Sequence, residues 1–146
     1  MNETLAAHTD LNSRLRYQRI METLHSVEID DPLRIFRSYP HQLSGGLRQR
    51  AMIAQSIVCG PKLVIADEPT SSLDVTIQAK IMQLLRKLNK ERGMTILLIS
   101  HELAMVSHLA DDIAVLSEGR VVEFAGTSDI VNRPRHAYTK SLIEAY

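Results

Sequence analysis

The chain has 146 residues, 45% of them hydrophobic and 23% charged, and its 17 basic and 17 acidic residues cancel. That is the size and composition of one ordinary globular domain, without the charge balance of a strongly basic nucleic-acid binder, so no nucleic acid is expected as a partner. A single cysteine, Cys59, excludes an internal disulfide; the opening "MNETLAAHTD" lacks the regions of a signal peptide, and no apolar run approaches the roughly 18 residues that would span a bilayer.

In chain order, residues 11–28 ("LNSRLRYQRIMETLHSVE") read as a basic amphipathic helix with Leu11, Leu15, Ile20, Met21, Leu24 and Val27 on its apolar side. The stretch "IDDPLRIFRSYPHQ" breaks that pattern at Pro32 and Pro40. After Gly45 and Gly46 the spacing predicts a helix over 47–58, ended by Gly60 and Pro61. "KLVIA" (62–66) is a continuous apolar run, which reads as a strand covered on both faces. "DEPTSSLD" is a turn with Asp74 as N-cap. Ile77, Ile81, Leu84, Leu85 and Leu88 then recur at helical spacing until Gly93.

"TILLIS" (95–100) reads as a second buried strand and "HELAMVSHLA" as a short helix. "DIAVLSEGRVVEFAG" reads as two strands about a Glu-Gly turn. The closing "SDIVNRPRHAYTKSLIEAY" is mainly helical with a break at Pro134. Alternating strands and helices predict an α/β fold with a mostly parallel sheet.

Three places carry chemistry. "LVIADE" sets Asp67 and Glu68 at the C-terminal end of a strand, the edge at which open α/β sheets bind ligands. Asp67 would hold Mg²⁺ there, directly or through water. Glu68 is expected on the other side, because neighbours on an extended strand alternate, where it would deprotonate an attacking water. The plain alternative is a solvated acidic turn. "TILLIS" ends the same way, and His101 beside it would hydrogen-bond a γ-phosphate or the attacking water, or else cap the short helix. In "LSGGLRQR" (43–50), Gly45 and Gly46 allow close backbone approach and open a helix whose N-terminal N–H groups favour an anion. Ser44 adds a hydroxyl; the alternative is a simple Ser cap. Arg48 and Arg50 read as phosphate contacts or as a solvated face. His101 and His108 lack the i, i+4 spacing of paired metal ligands, so a zinc site is not expected.

The order "LSGGLRQR", "LVIADEPTSSLD", "LLISHE" closely resembles the ATPase domain of ABC transporters. The first looks like the family's signature motif, although Leu47 stands where glutamine is usual. "LVIADE" looks like Walker B, "SSLD" (71–74) like the D-loop, and His101 like the switch histidine. "SYPHQLSGGLRQRAMIA", "KLVIADEPTSSLDVTIQAKI" and "NRPRHAYTKSLIEAY" further resemble the ATPases of peptide and nickel importers. The resemblance implies a P-loop NTPase-like ABC ATPase core in partial form, with residues 1–42 as part of a helical subdomain and 43–146 as the C-terminal part of the ATPase. It implies ATP and Mg²⁺ as cofactors, Glu68 as base, and Asp74 at a dimer interface. Ser44, Gly45 and Gly46 would act in trans on ATP held by a second ABC ATPase subunit. Membrane permease subunits and, indirectly, an extracytoplasmic solute-binding protein would be the other partners, with the chain peripheral on the cytoplasmic face of the cell membrane.

One family element has no counterpart. None of the six glycines is followed by lysine or by a glycine five positions on, so no G-x-x-x-x-G-K-[ST] P-loop occurs. The chain is therefore expected to be the C-terminal portion of a longer domain, inactive alone, with apolar strand surface left bare. The competing expectation is a non-catalytic module that pairs with a complete ATPase. A DNA-repair or chromosome ATPase is disfavoured, because residues 1–42 hold no sustained heptads.

Overall fold

The computed structural model describes residues 1–71 and 73–144. Ser72 of the predicted D-loop and the last two residues of the predicted closing helix, Ala145 and Tyr146, lie outside the described residues. The chain forms two compact units, Met1–Leu97 and Leu98–Tyr146.

The first unit opens with α1 (Asn2–His8), α2 (Ser13–Ser26) and α3 (Pro32–Arg37). The proline that reads as a breaker is instead an N-terminal helix position: Pro32 sits in the first turn of α3, and Asp31 accepts the Arg34 N–H at 3.0 Å. In α2 the apolar side is narrower than the sequence suggests. Ile20, Thr23 and Leu24 are buried, whereas Leu15 is exposed. Its C-terminus closes with Glu28 N–H donating to His25 O at 2.9 Å and Ile29 N–H to Leu24 O at 3.3 Å. This is a Schellman arrangement, and it places Glu28 at φ 58, where glycine is the usual occupant.

A short 3₁₀ turn, Pro40–Gln42, leads to α4 (Gly45–Ile57), then β1 (Leu63–Asp67), α5 (Val75–Arg92) and β2 (Thr95–Ile99). β1 and β2 are neighbours in a two-stranded sheet, and α5 is the crossover that parallel neighbours require. Ile81, Leu84, Leu85 and Leu88 of α5 are buried. Gly93, at φ 61, supplies the left-handed residue that stops α5. The expectation that both strands are covered on both faces does not hold. Val64 is buried, but Leu63, Ile65 and Leu97 are 51%, 62% and 50% exposed. Among the described residues, β1 is packed on its Val64 side, and the apolar side chains of Leu63, Ile65 and Leu97 are exposed.

The second unit holds α6 (Leu103–Ser107), β3 (Asp112–Ser117), β4 (Arg120–Gly126), α7 (Thr127–Asn132) and α8 (Ala137–Glu144). β3 and β4 pair antiparallel from Asp112 opposite Gly126 to Ser117 opposite Arg120, with an irregularity between Val115 and Leu116. Val106, Ile113, Val115 and Ile130 form its core. The Glu123 carboxylate on β4 accepts the backbone N–H groups of Arg135 at 2.9 Å and His136 at 3.1 Å. That anchors the "RPRH" stretch ahead of α8.

The hairpin turn puts both central residues in the left-handed region, Glu118 at φ 50 and Gly119 at φ 73. Primed turns demand this, and asparagine accepts it more cheaply than glutamate. Glu118→Asn is expected to stabilise the hairpin by about 0.5–1 kcal/mol, read as a higher urea midpoint at unchanged slope.

Candidate functional site

Ser44 begins α4. Its hydroxyl accepts the Leu47 N–H at 3.5 Å and its carbonyl the Arg48 N–H at 2.9 Å. The helix starts at Gly45 rather than after the glycine pair, so both glycines belong to its first turn. Their backbone is helical, and what they provide is room. A Cβ on Gly45 would lie 3.2 Å from Leu73 Cδ2, and one on Gly46 would lie 3.1 Å from Ile77 Cγ2. The glycine turn is thus seated on the turn after β1 and on the first turn of α5. Leu73 is the apolar residue of an otherwise polar turn, and that oddity is the signal in the sequence that could have identified it.

Asp67 ends β1 and is exposed. Glu68 does not continue the strand. Its φ is 44, left-handed, so strand alternation does not set its direction as the sequence suggests. The strand stops at Asp67 and the chain turns at once. The Glu68 carbonyl accepts both the N–H and the hydroxyl of Ser71, each at 3.3 Å. Thr70 O accepts the Leu73 N–H at 3.0 Å and the Gln78 side chain at 3.2 Å. Asp74 caps α5, accepting the Ile77 N–H at 3.0 Å. A non-glycine residue held left-handed costs on the order of 1 kcal/mol, and such strain clusters at functional positions.

His101 lies in the second unit, exposed in the bend between β2 and α6. It is not the cap of α6. The N-cap position is Glu102, whose N–H donates to the Ser100 hydroxyl at 3.2 Å.

Arg50 corrects a sequence expectation. Its side chain is 15% exposed, and Nη1 donates to Val27 O at 2.7 Å and to the Glu28 carboxylate at 2.9 Å. It is occupied within the fold, neither solvated nor turned to a phosphate. Arg48 is exposed and reaches Leu43 O at 3.4 Å. The Arg50 hydrogen bond, opposed by partial burial and helped by Lys87, holds the Glu28 carboxyl below its ordinary 4.5. A lowered carboxylate stabilises the fold fully above the unfolded value and loses that contribution as pH falls through the folded one. The stability gap between the wild type and Glu28→Gln is therefore expected to persist above about pH 4.5 and close below it, as read by urea denaturation across pH.

The residues fit a nucleotide site from one side. Among the described residues no cluster of three metal-ligating side chains exists. A single carboxylate such as Asp67 matches Mg²⁺, which is usually bound by one or two carboxylates together with phosphate oxygens. The open glycine turn at the head of a 13-residue helix matches an anion brought from outside.

Residues 2–71 match the family described as "ABC transporter". Over 143 residues the chain is 48% identical to the dipeptide transport ATP-binding proteins DppD of Haemophilus influenzae and Escherichia coli. The chain belongs to the ABC transporter ATP-binding family. The DppD match takes in 98% of this chain but 43% and 44% of those relatives, so the chain spans less than half of their length. The oligopeptide transport ATP-binding protein OppD of Lactococcus lactis is 44% identical over 99% of this chain and 43% of its own. Among solved structures, cbiO1 from Clostridium perfringens, titled part of the ABC transporter complex cbiONQ, aligns over 90% of this chain and 51% of its own, with a TM-score of 0.79 at 30% identity. The dimeric bacterial ABC transporter cassette MJ0796 aligns over 80% of this chain and 49% of its own, with a TM-score of 0.67 at 34% identity. The ABC ATPase fold expected from the sequence is thereby established.

Proposed function

We propose that this chain is the hydrolytic and trans-acting part of an ATP-hydrolysing subunit that drives peptide import. The observation that carries it is the seating of the glycine turn on Leu73 and Ile77. It joins the signature loop to the D-loop turn and, through the Glu68–Ser71 bonds, to the carboxylate pair. The relatives named above bear dipeptide and oligopeptide names, which favours peptides over nickel as the cargo. Residues 1–42 belong to the helical subdomain in this reading, and 43–146 to the ATPase core.

Bound ATP and Mg²⁺ would supply the reactive γ-phosphoryl group and the charge that neutralises it. Glu68 would take the proton of the attacking water, and Asp67 would hold the metal. His101 would hydrogen-bond the γ-phosphate. Ser44 and the amides of the Gly45–Gly46 turn close on a nucleotide held by the P-loop of a second ATPase subunit, with Asp74 at that interface. No helix among the described residues is long and apolar enough to cross a membrane. In this reading, attachment at the cytoplasmic face runs through permease subunits, with the solute-binding protein acting from the far side.

The test is pairing. The chain, mixed with a complete peptide-importer ATPase, is expected to co-elute with it only when Mg-ATP is present, and Ser44→Arg should abolish the effect. Co-elution that ignores ATP, or none at all, overturns the proposal.

A further inference from the structure

We propose that Arg50 and Glu28 form a clamp that positions the signature turn, making both of them positioning residues for the reaction proposed above, on which this inference rests. The need for such a clamp follows from the glycines. Elsewhere a packed helix is held in register by side chains that interdigitate with its neighbour. The first turn of α4 has none to offer at Gly45 and Gly46. Against Leu73 and Ile77 it presents bare backbone, which excludes overpacking but does not resist sliding or rolling.

The next turn supplies what the first lacks. Gly46 and Arg50 are four apart, so they lie on one face of α4, one above the other. Arg50 Nη1 reaches back 23 residues to the Val27 carbonyl at 2.7 Å and takes the Glu28 carboxylate at 2.9 Å. The other oxygen of that carboxylate accepts from Lys87 of α5 at 3.4 Å. One acidic side chain, just past the end of α2, therefore ties that end to α4 one turn beyond the glycines and to α5.

The backbone at Glu28 gives independent support. The residue occupies the left-handed position that ends α2, at φ 58, where glycine would be unstrained. Strain of this kind persists where surrounding interactions hold it in place, and here the side chain that glycine lacks is the one that makes the clamp. Local stability alone argues for glycine, and the geometry of α4 argues for glutamate.

That conflict separates a positioning role from a merely stabilising one. In the 146-residue chain, Glu28→Gly is expected to melt no lower than the wild type, because backbone strain is relieved as the ion pair is lost. Amide hydrogen exchange at Leu47 and Arg48, in the first turn of α4, should nonetheless accelerate about tenfold or more as that turn opens locally. Arg50→Met should accelerate the same amides by a similar factor and leave the β3–β4 hairpin unchanged. If exchange at Leu47 and Arg48 stays at the wild-type rate in Glu28→Gly, the proposal is wrong. It is equally wrong if all amides of residues 1–97 accelerate together. The measurement needs no nucleotide, so its failure removes the clamp and leaves the trans-acting reading standing. Loss of ATP-dependent pairing would do the reverse.

Discussion

Glu68→Gln is expected to reduce ATP turnover by about 10²–10⁴-fold in an assembly where a P-loop is supplied, while ATP-driven pairing survives and lasts longer. Glutamine keeps the size of the side chain and its backbone constraints, so the left-handed turn at φ 44 and the two Ser71 bonds should remain. Only the ability to take a proton from water is lost. A nucleotide that enters and is not cleaved should hold the two subunits closed. Single-turnover hydrolysis and size-exclusion chromatography in ATP read the two effects separately. Turnover at the wild-type rate would remove Glu68 from the role of base. Glu68→Gly sharpens the comparison. It should be just as inactive, and glycine occupies the left-handed region without the roughly 1 kcal/mol of strain that a side chain brings there. A variant that gains stability as it loses activity would show that the strain serves the site rather than the fold.

Much of the local structure around these residues is legible in the sequence. A strand ending at the carboxylate of Asp67, a glycine pair opening a helix and an N-capping aspartate each follow from local pattern, and the structure places all three as elements in the expected order. Those signals are local because a cap or a strand end is decided within a few residues. What the sequence hid is tertiary. Arg50 looks like a free surface cation until Val27 and Glu28, more than 20 positions earlier, are folded against it. The left-handed turn at Glu68 carries no glycine to announce it. Pro32 signals a break and, with Asp31 before it, starts α3 instead. The apolar runs of β1 and β2 describe strands suited to burial on both faces, yet Leu63, Ile65 and Leu97 are exposed among the described residues. Strand composition records the environment a strand is suited to, so it cannot reveal how much of that environment a given chain contains.

The glycine turn gives the other large effect, and it tests whether close approach is the reason for the glycines. Gly46→Val is expected to destabilise the chain by about 1–3 kcal/mol. Its Cβ would sit 3.1 Å from Ile77 Cγ2 before the two γ-methyls are added. Alanine is less decisive, since it gains up to about 1 kcal/mol of helix propensity against a contact that a small shift of Ile77 would relieve. Valine forfeits most of that gain through its β-branch and cannot avoid the neighbour. If the clash is the cause, shrinking Ile77 should relieve it. Ile77→Ala alone loses packing, but in the Gly46→Val background it should cost less or even restore stability. The coupling energy in a double-mutant cycle should be about 0.5–3 kcal/mol, measured by urea denaturation. Simple additivity would mean that the glycine serves only to leave the backbone open to a ligand. Strong coupling would mean that Gly46 also sets how closely α4 lies on α5.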